Sequence, residues 1–239
     1  MATTTTEKKP NWFLAFVASS IGRKILMALT GIFLILFLTV HLAGNLQLLF
    51  PILFGEAEAG RKFNEYAHFM GHNEIIQLIS IGNFTFILLH IIVSIWLTRS
   101  NIVARPVGYA YNGGNRSSWQ SRTMMILGTI VLIFLAVHLP HFWAKSKFGG
   151  LEEITYNGVQ MHNLYAATVE AFKQEWAVIL YVLSMIGLAF HLSHGFQSAF
   201  QTLGLNHKKY TPFIKTLGFL YSIIVPVGFA LIPILMYFF

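Results

Sequence analysis

Four of the ten histidines, His41, His90, His138 and His191, each fall inside a different long apolar stretch. Hydrocarbon cannot solvate an imidazole, so each must be coordinated or hydrogen-bonded by something else in the bundle. Depth sorts them into two pairs. His41 follows Lys24 by 17 residues and His138 follows Arg122 by 16, which at helical rise puts both roughly 25 Å from the boundary on the N-terminal side. On the returning stretches His90 precedes Arg99 by 9 residues and His191 precedes Gln201 by 10, placing both roughly 14 Å from that boundary. Imidazoles at matched depth on facing helices could clamp a flat macrocycle from both faces. The expected chemistry is therefore two haems stacked across a bilayer, His41 with His138 at the outer level and His90 with His191 at the inner. Bis-imidazole ligation leaves no open iron position and suits electron transfer over oxygen binding. A vertical offset of roughly 11 Å between the levels is compatible with electron passage. His194, one turn from His191, could replace it as ligand or bond a propionate, while His68, His72, His141, His162 and His207 read as interfacial.

The elements that must hold these side chains are runs long enough to cross roughly 30 Å of hydrocarbon. They lie at about Ile25–Phe50, Ile75–Leu97, Thr123–Trp143, Ala177–Gln201 and Leu217–Phe239. The expected fold is all-α and integral to the membrane: five transmembrane helices, the first four forming a haem-binding four-helix bundle within one domain, residues 1–239. In an up-and-down arrangement helix 1 is diagonal to helix 3 and helix 2 to helix 4. The fifth, with Pro226 and Pro233 and no ionisable residue, serves packing. Residues 1–20 form a cytoplasmic or interfacial segment in which Trp12, Phe13 and Phe16 anchor at the membrane surface. Met1–Pro10 shows neither a secretory signal pattern nor an arginine-rich transit peptide, so the first span is expected to be permanent.

Composition agrees. The chain is 55% hydrophobic and 10% charged, with a mean hydropathy of +0.62, too apolar for an ordinary soluble globule. Cysteine is absent, so disulfides and cysteine-bound iron–sulfur clusters on this polypeptide are excluded. Lys8, Lys9, Arg23, Lys24, Arg99, Arg105, Arg116, Arg122, Lys208, Lys209 and Lys215 fall on the N-terminal side, 11 of the 16 basic residues. Arg61, Lys62, Lys145, Lys147 and Lys173 fall opposite, with every acidic residue except Glu7. The positive-inside rule then places the N-terminus in the cytoplasm and the C-terminus outside, in a bacterial cytoplasmic membrane. The net charge of +7 reflects topology, and a nucleic-acid partner is not expected. The same basic loops could also dock an acidic protein.

The two outer connections, about Pro51–Glu74 and Ala144–Trp176, carry helical spacing: Phe63, Tyr66, Ala67 and Met70 in the first, His162, Tyr165, Val169 and Phe172 in the second. Short capping helices are expected in both. Val40-His41-Leu42 and Val137-His138-Leu139 form a faint internal duplication, each followed by the next histidine after 49 and 53 residues. Gly44, Gly82, Gly128, Gly187 and Gly195 offer close approach to a porphyrin or to a neighbouring helix. Arg23, Arg99 and Arg122 are candidate propionate partners at the inner level, Arg61 and Lys145 at the outer.

At these residues the chain resembles the di-haem cytochrome b subunit of succinate:menaquinone oxidoreductases and fumarate reductases, in the single-subunit, five-helix form. The resemblance rests on FLTVHLAGN (Phe37–Asn45), KFNEYAHFM (Lys62–Met70), ILLHIIVS (Ile87–Ser94), LIFLAVHLPHFW (Leu132–Trp143) and AFHLSHGFQSAFQTLG (Ala189–Gly204), in order over nearly the whole chain. It implies two haems b on His41, His90, His138 and His191, and a quinone site, of menaquinone type, in this subunit. It further implies a flavoprotein with covalent FAD and an iron–sulfur subunit docked on the cytoplasmic face. Some fumarate reductases of this kind carry a glutamate two residues before the fourth-helix ligand. Here that position is Ala189, which puts a proton path of that design in doubt.

The expected function is that of the membrane-anchor and electron-transfer subunit of a succinate dehydrogenase. Electrons from succinate would pass through the partner's iron–sulfur centres to the inner and then the outer haem, and reduce a membrane quinone; the dicarboxylate site lies on a partner chain. Quinone reduction consumes protons, so Glu65, His68, Glu74, Gln77 and His141 near the outer level are candidate quinone residues. Alternatives are the fumarate reductase direction, the di-haem cytochrome b of a hydrogenase, formate dehydrogenase or quinol:cytochrome c complex, and a haem-free anchor or transporter using histidines as proton relays. One histidine on each of four helices disfavours the quinol:cytochrome c complex, in which two helices carry two each.

Overall fold

The computed structural model describes residues 11–55, 59–104 and 119–239. Five helices among them are long and apolar enough to cross a membrane: Ser20–Phe54, Glu74–Val103, Arg122–Phe148, Glu175–Thr202 and Thr211–Phe238. The chain is a multi-pass membrane protein with helical spans. Glu7, Lys8, Lys9, Glu56, Glu58, Arg105 and Arg116, which enter the charge-based orientation, lie outside the described residues.

A short helix α1 (Trp12–Ala18) precedes α2 (Ser20–Asn45), which runs through a tightened turn at Leu46–Leu49 into α3 (Phe50–Phe54). Ser19 makes the α1–α2 corner: its hydroxyl oxygen accepts from the Gly22 N–H at 3.0 Å while its proton goes to the Phe16 carbonyl at 2.6 Å. A Cβ on Gly22 would stand 1.9 Å from that carbonyl oxygen, so only glycine fits there. Next come α4 (Arg61–His72) and α5 (Glu74–Val103), joined by Asn73, whose side chain accepts from the Ile76 N–H and caps α5. After α6 (Trp119–His138) the chain widens into a π-helical turn at Leu139–Ala144 and ends the span in α7 (Lys145–Phe148). Pro140 lies in this turn; it has no N–H to donate and its ring crowds the preceding turn, which a wider coil relieves.

The connection between α7 and α9 holds a feature the sequence reading missed. Instead of a helix beginning near His162, a hairpin pairs β1 (Glu153–Tyr156) with β2 (Val159–His162), and α8 (Leu164–Phe172) follows. The two-residue turn is Asn157-Gly158 with φ of +50° and +79°, the mirror-image turn that Asn-Gly adopts most readily between strands. That dipeptide was the available signal. Tyr165, Val169 and Phe172 do lie on the expected capping helix, but His162 ends a strand.

The last two spans are α9 (Glu175–Thr202) and α10 (Thr211–Phe238). α2 packs against α5 on one side and α9 on the other, α6 packs on α9, and α10 lies across α9 and α2. α2 and α6 therefore occupy one diagonal of a four-helix bundle, and α5 and α9 the other. Lipid is as apolar as a leucine side chain, so these helices are held by close approach and hydrogen bonds more than by leaving water. Gly187 meets Ile130, Gly218 meets Phe196 and Gly228 meets Leu42, each so closely that an added Cβ would stand 2.6–2.9 Å from the facing side chain. Tyr221 of α10 donates its hydroxyl proton to the Ile35 carbonyl of α2 at 2.5 Å. Outward faces are apolar, with Leu36 and Val40 on α2 and Leu78, Ile81 and Leu88 on α5 exposed to what would be lipid.

The spans are longer than the apolar runs suggested. Counting stopped at charged residues, whereas backbone hydrogen bonding carries the helices past the hydrocarbon edge into polar ends such as Ser20–Lys24 and Thr98–Val103.

Candidate functional site

The four intramembrane histidines meet across the two diagonals. The His41 and His138 rings lie with centroids 5.9 Å apart and nearly perpendicular, at 81°; those of His90 and His191 are 6.3 Å apart at 64°. The outer pair is set among aromatic rings: Phe37 stacks on His41, Phe134 on His138, and Phe229 of α10 closes one side.

Each pair has polar neighbours that the sequence reading did not name. The Asn45 amide, one turn after His41, lies 3.3 Å from His41 Nε2; as the amide nitrogen can only donate, that ring nitrogen accepts. The Tyr181 hydroxyl of α9 lies 3.3 Å from His138 Nδ1. At the inner pair the Thr30 hydroxyl, fully buried on α2, lies 3.0 Å from His90 Nδ1 and within 3.0 Å of the Leu26 and Met27 carbonyl oxygens. The hydroxyl thus reaches its own helix and the His90 ring together, tying the imidazole of α5 to α2. His191 Nδ1 is buried with no hydrogen-bond partner. Gly31 and Gly128 sit beside the inner rings, where a Cβ would lie 3.7 Å from His90 Cε1 and His191 Cε1 respectively.

Among the described residues no group of three or more His, Cys, Asp or Glu side chains is placed to hold a metal ion. This corrects the cofactor expectation. The ring pairs are not joined by a further His, Cys, Asp or Glu placed to complete a metal-holding group, so the set expected around them is not assigned: two haems b on His41, His138, His90 and His191, with a bound quinone and partner-held FAD and iron–sulfur clusters. Quantitative haem extraction from the purified chain is the direct check. The cationic residues expected at the propionates are partly engaged elsewhere. The Arg23 guanidinium lies 3.6 Å above the Trp96 ring and donates to Ser100 Oγ and the Ala18 carbonyl. Arg61 pairs with Glu65 at 2.8 Å.

The candidate quinone residues fall in separate places. Glu65 and His68 line an outer groove of about 530 Å3 with Phe69, His72, Tyr156 and Met161. There His68 stacks on His72, whose Nδ1–H donates to the His68 carbonyl at 2.7 Å. Gln77 is spent on structure: its amide donates to the Met70 carbonyl and its oxygen accepts from Lys147 Nζ. Glu74 is exposed in the first turn of α5. His141 lies apart from these, between Trp176 and Tyr181 in the π-helical turn, its Nδ1 buried without a partner. Tyr66 of α4 lies over Gly44 of α2, where a Cβ would stand 2.6 Å from the ring, and its burial pushes the phenol above its ordinary value of 10.0.

Comparison of the chain with protein-family models, curated proteins and solved structures finds no match.

Proposed function

We propose that the chain is the membrane-anchor subunit of a succinate:quinone oxidoreductase. In this role it seats an iron–sulfur subunit and its flavoprotein on the N-terminal, cytoplasmic face, and brings their electrons to a quinone in the bilayer. The observation that carries this proposal is the ordered set of five motifs, four on the first four membrane spans and one on α4, with His41 and His138 meeting at one depth and His90 and His191 at another. The basic residues Lys24, Arg99, Arg122, Lys208 and Lys209 gather on one face and suit an acidic soluble partner.

A second reading has its own support. Asn45, His41, His138 and Tyr181 form a line of polar side chains through an apolar core, which favours a histidine proton relay in a membrane anchor without bound metal.

Affinity purification of the tagged chain from its native membrane, followed by a succinate-dependent quinone reduction assay, tests the proposal. A flavoprotein and an iron–sulfur protein should co-purify, and deleting the chain should abolish quinone reduction while succinate oxidation by a soluble dye persists. A chain that purifies alone, with quinone reduction intact after its deletion, would leave the relay.

A further inference from the structure

Where α9 ends and α10 begins, a cleft of about 130 Å3 opens at the membrane boundary, lined by Gln197, Phe200, Gln201, Leu205, Asn206, Thr211, Ile214 and Lys215. Its shape is fixed by the connecting loop. Gly204 turns the chain at φ +76°, the His207 N–H donates to Thr211 Oγ1 at 2.8 Å, and Thr211 donates onward to Asn206 Oδ1 at 2.8 Å. The remaining polar side chains, two primary amides and an ammonium, can all donate. Gln197 and Gln201 stand one turn apart on α9, Lys215 faces them from α10, and none of the three side chains has a protein partner among the described residues. No carboxylate lines the cleft, and Lys208 and Lys209 lie in the adjoining loop. An ammonium with two primary amides around a small cleft, free of acidic groups, selects a compact oxyanion.

The surroundings say what that anion is attached to. Toward the bilayer, Phe213 and Leu217 on α10 are 68% and 45% exposed, and Leu205 at the cleft rim is 45% exposed. A ligand that satisfies both regions has an anionic head and apolar chains. We propose that this cleft binds the phosphodiester headgroup of an anionic phospholipid, with the acyl chains lying along Phe213 and Leu217. Basic pockets between transmembrane helices at the boundary are suited to such headgroups. The cleft has room for a phosphodiester and none for an acyl chain, so the tails stay in the bilayer.

The full chain, purified in detergent and stripped of lipid, is titrated with phosphatidylglycerol or with phosphatidylcholine of identical acyl chains, and retained lipid is read by native mass spectrometry. Phosphatidylglycerol should be held in preference, and Lys215→Gln should weaken that preference by about fivefold, the effect of one basic side chain beside an anionic headgroup. Gln201→Glu should weaken it further, and Lys147→Gln on the opposite face should leave it unchanged. Each variant's melting temperature with phosphatidylcholine shows whether it is folded; should Lys215→Gln fail to fold, Gln201→Glu carries the comparison. Equal retention of the two lipids, or a preference that survives both cleft variants, overturns the proposal. Millimolar inorganic phosphate is added alone in a further arm. If it stabilises the chain as well as phosphatidylglycerol does and displaces it, the site takes a free anion and the lipid assignment is wrong.

Discussion

Asn64 joins two segments that are far apart in sequence. It is fully buried, its amide donates to Asn163 Oδ1 at 3.0 Å, and its oxygen accepts from the Tyr165 N–H at 2.9 Å. Asn163 in turn caps α8 by accepting from the Ala166 N–H. Replacing Asn64 with alanine leaves the Tyr165 N–H without its acceptor and Asn163 Oδ1 with the Ala166 N–H alone, so Asn64→Ala should cost about 2–3 kcal/mol, measured as a lower midpoint in detergent unfolding. At this scale the histidines' relative positions were readable in advance, because depth along a helix is arithmetic. Their neighbours Thr30, Tyr181 and Asn45 were not, since contact between helices depends on rotation about each axis, which spacing along one strand of sequence does not fix. What the paired rings hold was equally beyond sequence: the expected haems presume a metal-holding group, and His41, His90, His138 and His191 stand in twos.

Helix crossings make a second, separable contribution. Gly187→Ala and Gly218→Ala each push a Cβ into a facing side chain, to 2.9 Å from Ile130 and 2.6 Å from Phe196, and should destabilise by about 1–3 kcal/mol. Gly195→Ala meets nothing within 4 Å and should instead stabilise by up to about 1 kcal/mol through helix propensity. Thermal melts of the three purified variants check the contrast. The sequence named Gly187 and Gly195 alike, because a glycine's use is set by what faces it. Helix existence was plain from hydropathy, and α4 and most of α8 from spacing. The β1–β2 hairpin was lost because Tyr165, Val169 and Phe172 form a true helical stripe, and extending it back to His162 ran into the end of β2, the strand that follows the Asn157-Gly158 turn. The π-helical turn that re-aims His141 was unreadable, since Pro140 alone does not say how a helix will absorb it.

For the whole molecule, orientation is the open physical quantity, and the lack of cysteine makes it measurable. Single replacements Lys173→Cys and Lys209→Cys lie at opposite ends of α9 and its following loop, and both positions are exposed. In intact cells a membrane-impermeant maleimide should label the first and spare the second until the membrane is opened. The reverse pattern would invert the topology drawn from the basic residues and move the docking face to the other side.

The placement of α9 has a consequence for how the protein is made. It is the fourth span to leave the ribosome, yet α2, α6, α8 and α10 all rest on it, and Ala177, Tyr181, Ser184, Met185, Leu188, Leu192 and Phe196 are buried along its length. While residues up to α6 are being inserted, the α2–α5 hairpin has formed but α6 has only a slight contact with α5 to lean on, and lipid must cover the faces of α2 and α6 that α9 will later take. His41 and His138 are then already in the membrane, with Tyr181 still to come. A nascent chain halted before Glu175 should hold α6 loosely beside the α2–α5 hairpin, open to lateral exchange and to membrane proteases. Release of α9 closes the bundle in one step, and α10 follows as the seal.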